Sequence, residues 1–172
     1  GGIALQCMIR LALAGLALSV AGGAALADYD GRVVGDWVSR AKEDRFGDGG
    51  TFVAFTVDGD IGLGVRCIQR ELSVAIIDPD AKFSKGDTIE FAFRIDRGEI
   101  IKTTGVALNS RLVQLITDSA LVKRIKRGRE AAVRVDKAGV VSTRIFKTGG
   151  AARAFADLEK ECPLDGRARS EK

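Results

Sequence analysis

The chain contains no histidine. That removes the commonest general base and the commonest metal ligand, and with them most metal-hydrolase and triad chemistry. There is no G-x-S-x-G, no P-loop and no G-x-G-x-x-G between a strand and a helix, so acyl-transfer elbows and nucleotide cradles have no carrier here. Gly62-Leu63-Gly64 is a fragment of such a loop and reads as the start of a strand. Proline is scarce at 2 residues, and aromatics make up 6% of the chain, mostly phenylalanine. After the first 27 positions no apolar run approaches the roughly 20 residues a spanning helix needs.

What is present begins with residues 8–31, MIRLALAGLALSVAGGAALADYDG. A single positive charge (Arg10), an apolar run from Leu11 to Val20, and the small-x-small triplet Ala25-Leu26-Ala27 follow in the order of a secretory signal peptide. Cleavage is expected between Ala27 and Asp28. Residues 1–7 precede Met8, the sole methionine, and read as an upstream start-site artefact; Cys7 lies before the apolar run, where it cannot serve lipidation. The expected organisation is a leader over 1–27 and one β-rich domain over 28–172, with a frayed tail at 166–172.

The net charge is +4 and the pI near 9.1. Acidic and basic residues are interspersed, so the chain lacks the basic density of a nucleic-acid binder; loose contact with an anionic envelope surface fits better. Once the leader is removed two cysteines remain, Cys67 and Cys162, which lie 95 positions apart. In an oxidising compartment an even pair reads as a disulfide, and without histidine or a C-x-x-C a zinc site has no ligand set. No cofactor is indicated.

Glycine and aspartate punctuate short alternating runs, the pattern of an antiparallel β domain. Expected strands are 35–40, 51–57, 63–69, 72–77, 88–95, 99–106, 131–135 and 140–146, giving a sandwich-like fold of about seven or eight strands. The clearest is TIEFAFRI, where Ile89, Phe91, Phe93 and Ile95 share one face and Glu90, Ala92 and Arg94 the other. Two helices interrupt the strands. One covers 118–127, with Leu121, Val122 and Ile125 inward, Thr117 or Asp118 as cap and Gly128 as stop. The other covers 150–161, with Ala151, Phe155, Leu158 and Cys162 in one stripe, which directs the disulfide from the helix end to the strand carrying Cys67.

The candidate sites are few. Lys123, Arg124, Lys126, Arg127 and Arg129 form one cationic cluster: a docking patch for phospholipid, lipopolysaccharide or an acidic protein, or a solvated helix end whose cations suit the dipole. Arg66 and Arg70 flank Cys67 and are expected at the surface or facing a ligand. The Asp-rich stretches 28–31, 44–50 and 58–60 lack the spacing of a calcium loop and read as turns. Paired carboxylates for glycoside cleavage assemble across space, and nothing local marks a pair.

Three stretches follow an order found in exported proteobacterial proteins: GDWVSRAKEDRFGDGGTFVAF (35–55), LGVRC (63–67) and RIFKTGGAARAFADLEKEC (144–162). The chain resembles the type VI secretion-associated periplasmic TagO-like proteins. From DSALVKRIKRGREAAVRV (118–135) onward it is also similar to invasion-associated locus B proteins, although it lacks that group's additional cysteines. The resemblance implies a non-enzymatic exported accessory β protein and carries over no catalytic residue. With the absent motifs and the cysteine pair, the expectation is a periplasmic or secreted protein of a Gram-negative envelope that binds an envelope or host protein. Two alternatives stand beside it: an inhibitor of a host or competitor hydrolase acting through the loop Arg45 to Gly50, and a carboxylate-dependent cell-wall hydrolase.

Overall fold

The computed structural model describes residues 31–47, 49–115, 119–137 and 139–165. The expected leader, the tail 166–172 and the Thr117 or Asp118 cap lie outside these residues. The strands are β1 Arg32–Val34, β2 Trp37–Lys42, β3 Thr51–Asp58, β4 Ile61–Ile68, β5 Glu71–Ile77, β6 Thr88–Ile95, β7 Ile100–Ala107, β8 Leu112–Leu115, β9 Glu130–Lys137 and β10 Val140–Lys147. The helices are α1 Ser119–Arg127, α2 Ala151–Ala154 and α3 Ala156–Glu161.

Alternation does most of the local work. In β6 the residues Ile89, Phe91, Phe93 and Ile95 are buried, while Thr88, Glu90 and Arg94 are exposed, as a half-buried pleated strand requires. Turn chemistry then fixes the pairings. Asp96 takes a positive φ of 50° at the β6–β7 hairpin, and its carboxylate accepts the N–H groups of Arg129 and Glu130, each at 3.0 Å. At the β9–β10 hairpin the Asp136 carboxylate accepts the Gly139 N–H at 2.9 Å, the local side-chain bond that makes aspartate a turn former.

All ten strands join one antiparallel sheet in the order β1-β2-β3-β4-β5-β8-β7-β6-β9-β10. The expected antiparallel β architecture is therefore present, and its core is enclosed by a single sheet that rolls back on itself. β1 and β8 are strands that the sequence pattern did not mark. The roll stays open: β10 meets β3 through side chains, with no ladder between them. Thr56 Oγ1 donates to the Lys147 carbonyl at 2.9 Å, and the Ile145 N–H donates to Asp58 Oδ2 at 3.2 Å.

The helices cover the inner face. Leu121, Val122 and Ile125 of α1 are buried, and the Gly128 N–H still reaches the Arg124 carbonyl at 2.9 Å where the helix stops. The expected single C-terminal helix bends at Phe155 (φ −88°, ψ −3°) into α2 and α3, yet Ala151, Phe155, Leu158 and Cys162 all remain buried. Phe155 packs edge-on against Trp37 with ring centroids 4.9 Å apart, a geometry favoured by the ring quadrupole. Cys67 of β4 and Cys162 form a disulfide with their Cα atoms 6.0 Å apart, tying the C-terminal helix to the sheet.

Candidate interaction surfaces

Strand parity sorts the exposed apolar side chains. The face of the sheet that turns away from the core carries Val33, Val57, Ile68 and Ile77, all exposed. On the same face of β4 lies the half-buried Arg66. Its Nε donates to Ser73 Oγ at 3.2 Å and its Nη2 to Gln114 Oε1 at 3.0 Å. Ser73 is its register partner on β5, and Gln114 comes from β8. Both acceptors are neutral, and burial pushes the guanidinium's pKa down. A half-desolvated cation held by neutral acceptors retains its attraction for an anion. Of the two arginines singled out beside Cys67, Arg66 is thus set into the sheet face. Arg70 instead lies at a left-handed turn position (φ 67°) and reaches Glu161 at 3.7 Å.

The cationic cluster at α1 is largely neutralised. Lys123 pairs with Asp165 at 3.1 Å, Arg124 with Glu99 at 3.4 Å and Lys126 with Glu159 at 2.7 Å. The Lys123 hydrogen bond and charge hold the exposed Asp165 carboxyl below its usual range. Arg127 and Arg129 are exposed, and neither has an ion-pair partner among the described residues. The five residues predicted as one patch therefore divide into three paired side chains and two exposed ones.

The loop from β2 to β3 presents Phe46 with 91% of its surface exposed. Its base is held to the β4–β5 turn: the Gln69 N–H donates to the Gly50 carbonyl at 3.0 Å, and Arg70 Nη2 to the Gly47 carbonyl at 3.4 Å. The side chain is held out by a loop that is itself anchored.

Two arrangements lay beyond the sequence pattern because strand order creates them. Glu90 of β6 and Asp136 of β9 are direct register partners. With Lys102, Thr104 and Arg134 they line an open depression of about 500 Å³ on the outer face. The second is the edge strand β10, whose residues are exposed except Phe146. Among the described residues no group of three or more His, Cys, Asp or Glu side chains is placed to hold a metal ion, and no helix is long and apolar enough to cross a membrane.

Comparison with known proteins gives a likeness of fold. The chain is similar to the crystal structure of invasion associated protein B from Bartonella henselae, with a TM-score of 0.53 at 12% identity, over 76% of this chain and 96% of that one. No family model matches the chain, and no curated protein sequence matches it. At this identity the likeness concerns the fold alone. It agrees with the locus B resemblance of the second half of the chain.

Proposed function

We propose that this chain is a non-catalytic accessory protein of the Gram-negative envelope, exported to the periplasm or beyond, which binds a protein partner through its outer sheet face. The observation that carries the reading is Arg66: a half-buried cation on neutral acceptors, on the same outer face as exposed Ile68 two residues along β4 and as Val57 and Ile77, which flank Gly62 four residues along it. Exposed apolar surface sharing a face with a half-desolvated charge is the composition of a recognition patch. Export is supported by the signal-like order of residues 8–27 and by the Cys67–Cys162 disulfide, a bond that persists in oxidising compartments. Kinship with the locus B or TagO-like proteins is part of this proposal; the fold likeness above supports the locus B side of it, and the TagO-like side rests on the sequence stretches alone.

The test has two arms. Intact mass of the protein recovered from the periplasm of its own cells, before and after reduction and alkylation, should begin at Asp28 with both remaining cysteines protected. Cross-linking in those cells should then yield the same envelope partner repeatedly, at several-fold lower yield for Arg66→Ala. A retained leader, free thiols, or a catch indifferent to Arg66 would overturn the reading.

Phe46 favours a second reading, inhibition of a host or competitor hydrolase. An aromatic displayed on an anchored loop is how many inhibitors fill an enzyme's pocket. A panel of lysozymes and proteases assayed with wild type and Phe46→Ala decides it; inhibition that vanishes with the side chain supports this reading, and none at micromolar protein ends it.

A further inference from the structure

β10 is one end of the sheet, and its backbone parity is fixed by its neighbours. The Thr148 N–H points to β9, bonding the Arg129 carbonyl at 2.9 Å. The Ile145 N–H and Lys147 C=O point the other way, to Asp58 and Thr56 of β3. Odd-numbered residues of β10 therefore turn their N–H and C=O groups away from the sheet. At 145 and 147 the β3 side chains take up one group each. At Val141 and Thr143 no protein partner is present among the described residues. The strand is β-prone in sequence, VVSTRIF, and it carries exposed Val140 (74%), Val141 (54%) and Ile145 (52%). The edge has no proline, and its one charge on the core-side parity is Arg144, which shares the face of buried Phe146.

We propose that the edge at Val141 and Thr143 takes up an extended peptide segment of a partner as an eleventh strand, and that this segment alternates apolar and acidic residues. The proposal deepens the binding function above and rests on it for its biological setting. Side-chain parity gives the alternation. Val141 and Ile145 lie on one face of β10 and ask for apolar neighbours, while the exposed Arg144 lies on the other and asks for a carboxylate. Charge separates this occupant from a second copy of the chain. The β9–β10 hairpin has four basic residues (Arg134, Lys137, Arg144, Lys147) against two acidic ones (Glu130, Asp136). Pairing β10 with itself would set like charge against like, whereas an acidic strand neutralises it.

The test uses the full oxidised chain and two labelled seven-residue probes, one alternating glutamate with valine and one alternating lysine with valine. Anisotropy should show the acidic probe binding at least tenfold more tightly. Thr143→Pro removes an outward N–H, a substitution an edge strand tolerates without loss of the β9–β10 ladder, and should weaken the acidic probe at least tenfold with unfolding midpoint unchanged. Arg144→Glu should reverse the preference between probes, which keeps the test decisive if the proline variant fails to fold. Equal binding of both probes, or acidic-probe binding unaffected by Thr143→Pro, overturns the proposal. So does concentration-dependent dimerisation abolished by Thr143→Pro, which would make the occupant a second copy. If the acidic probe fails but an envelope partner is still cross-linked through Arg66, the edge proposal falls and the binding function stands. If the probe binds by these rules and no partner is cross-linked, the reverse holds.

Discussion

Asp36 and Gly149 hold each other by two hydrogen bonds across 113 positions: the Asp36 N–H donates to the Gly149 carbonyl at 2.9 Å, and the Gly149 N–H donates to Asp36 Oδ2 at 2.9 Å. The β1–β2 turn is thereby locked to the loop that starts α2. Gly35 (φ +62°) and Gly150 (φ +87°) sit inside the lock. A Cβ on Gly35 would come 2.4 Å from the Gly149 carbonyl oxygen, and one on Gly150 would come 2.8 Å from that of Val34. Asp36→Ala should cost about 1–3 kcal/mol, the range for losing a charge-assisted bond and leaving a donor unmet. Gly35→Ala should cost more than Asp36→Ala, because strain at positive φ adds to a backbone clash. Urea unfolding of the variants checks the order; a Gly35→Ala protein as stable as wild type would refute the lock.

Reduction of Cys67–Cys162 should destabilise the chain by roughly 2–5 kcal/mol, the range for a native bridge closing a long loop. Both cysteines are buried, at 0% and 5% exposure, so the double alanine variant is the appropriate comparison to reductant-treated wild type. Both should shift the denaturant midpoint down by a similar amount. A midpoint insensitive to reductant would show that helix docking by Phe155 and Leu158 alone holds α2 and α3 in place.

Much of this architecture could be read from residues near one another. The alternation in TIEFAFRI, the stripe Leu121-Val122-Ile125 and the inward Cys162 each follow from a period of 2 or 3.6. The two missed strands fail for physical reasons. β1 is RVV, too short to alternate, and is held by pairing with β2. β8 is LVQL and gains its place between β5 and β7. That insertion makes strand order depart from chain order, so Arg66, Ser73 and Gln114 meet, as do Glu90 and Asp136, through pairings that no local period encodes. The cationic cluster at α1 was legible as a run of charge, but Glu99, Glu159 and Asp165 reach it from elsewhere in the fold.

Glu90 and Asp136 supply a sharp test of the cell-wall hydrolase alternative. Like charges directly across an antiparallel pair are unfavourable by a few tenths of a kcal/mol. Glu90→Gln should therefore leave stability unchanged or raise it slightly at neutral pH, and incubation of wild type with purified peptidoglycan should release no soluble fragments. Release by wild type that is lost in both Glu90→Gln and Asp136→Asn would turn this outer depression into an active site.

Of the α1 cluster, Arg127 and Arg129 are exposed and have no ion-pair partner among the described residues, and near an anionic surface each is worth about 1 kcal/mol. The expected attraction, about 2 kcal/mol, leaves most of the protein in solution. Sedimentation with vesicles containing 30% anionic lipid (roughly −30 mV) at physiological salt should retain little protein, and Arg127→Ser with Arg129→Ser should abolish what is retained. Strong retention that survives this double change would move the contact to another face.

The pH dependence of stability should have a simple form, because the chain has no histidine and Cys67 and Cys162 are joined. No side chain has an ordinary pKa between about 5 and 8, so the unfolding midpoint should be flat there. Below that window Asp157 contributes. Its hydrogen bond from Lys160, at 2.7 Å, holds the carboxyl below its ordinary value, partial burial opposes the shift, and the charges of Lys160 and Arg32 reinforce it. A carboxyl depressed in the folded state adds stability that is complete above its unfolded pKa of about 3.9 and is lost as pH falls through the folded value. The pair is exposed, so the contribution is about 0.5 kcal/mol or less. Asp157→Asn should lower stability by that amount at pH 7 and converge on wild type as pH falls through the folded value of the Asp157 carboxyl, below which both side chains are neutral. A wild-type midpoint that moves markedly between pH 5.5 and 7.5 would contradict this account, since it would require a group titrating far from its ordinary range.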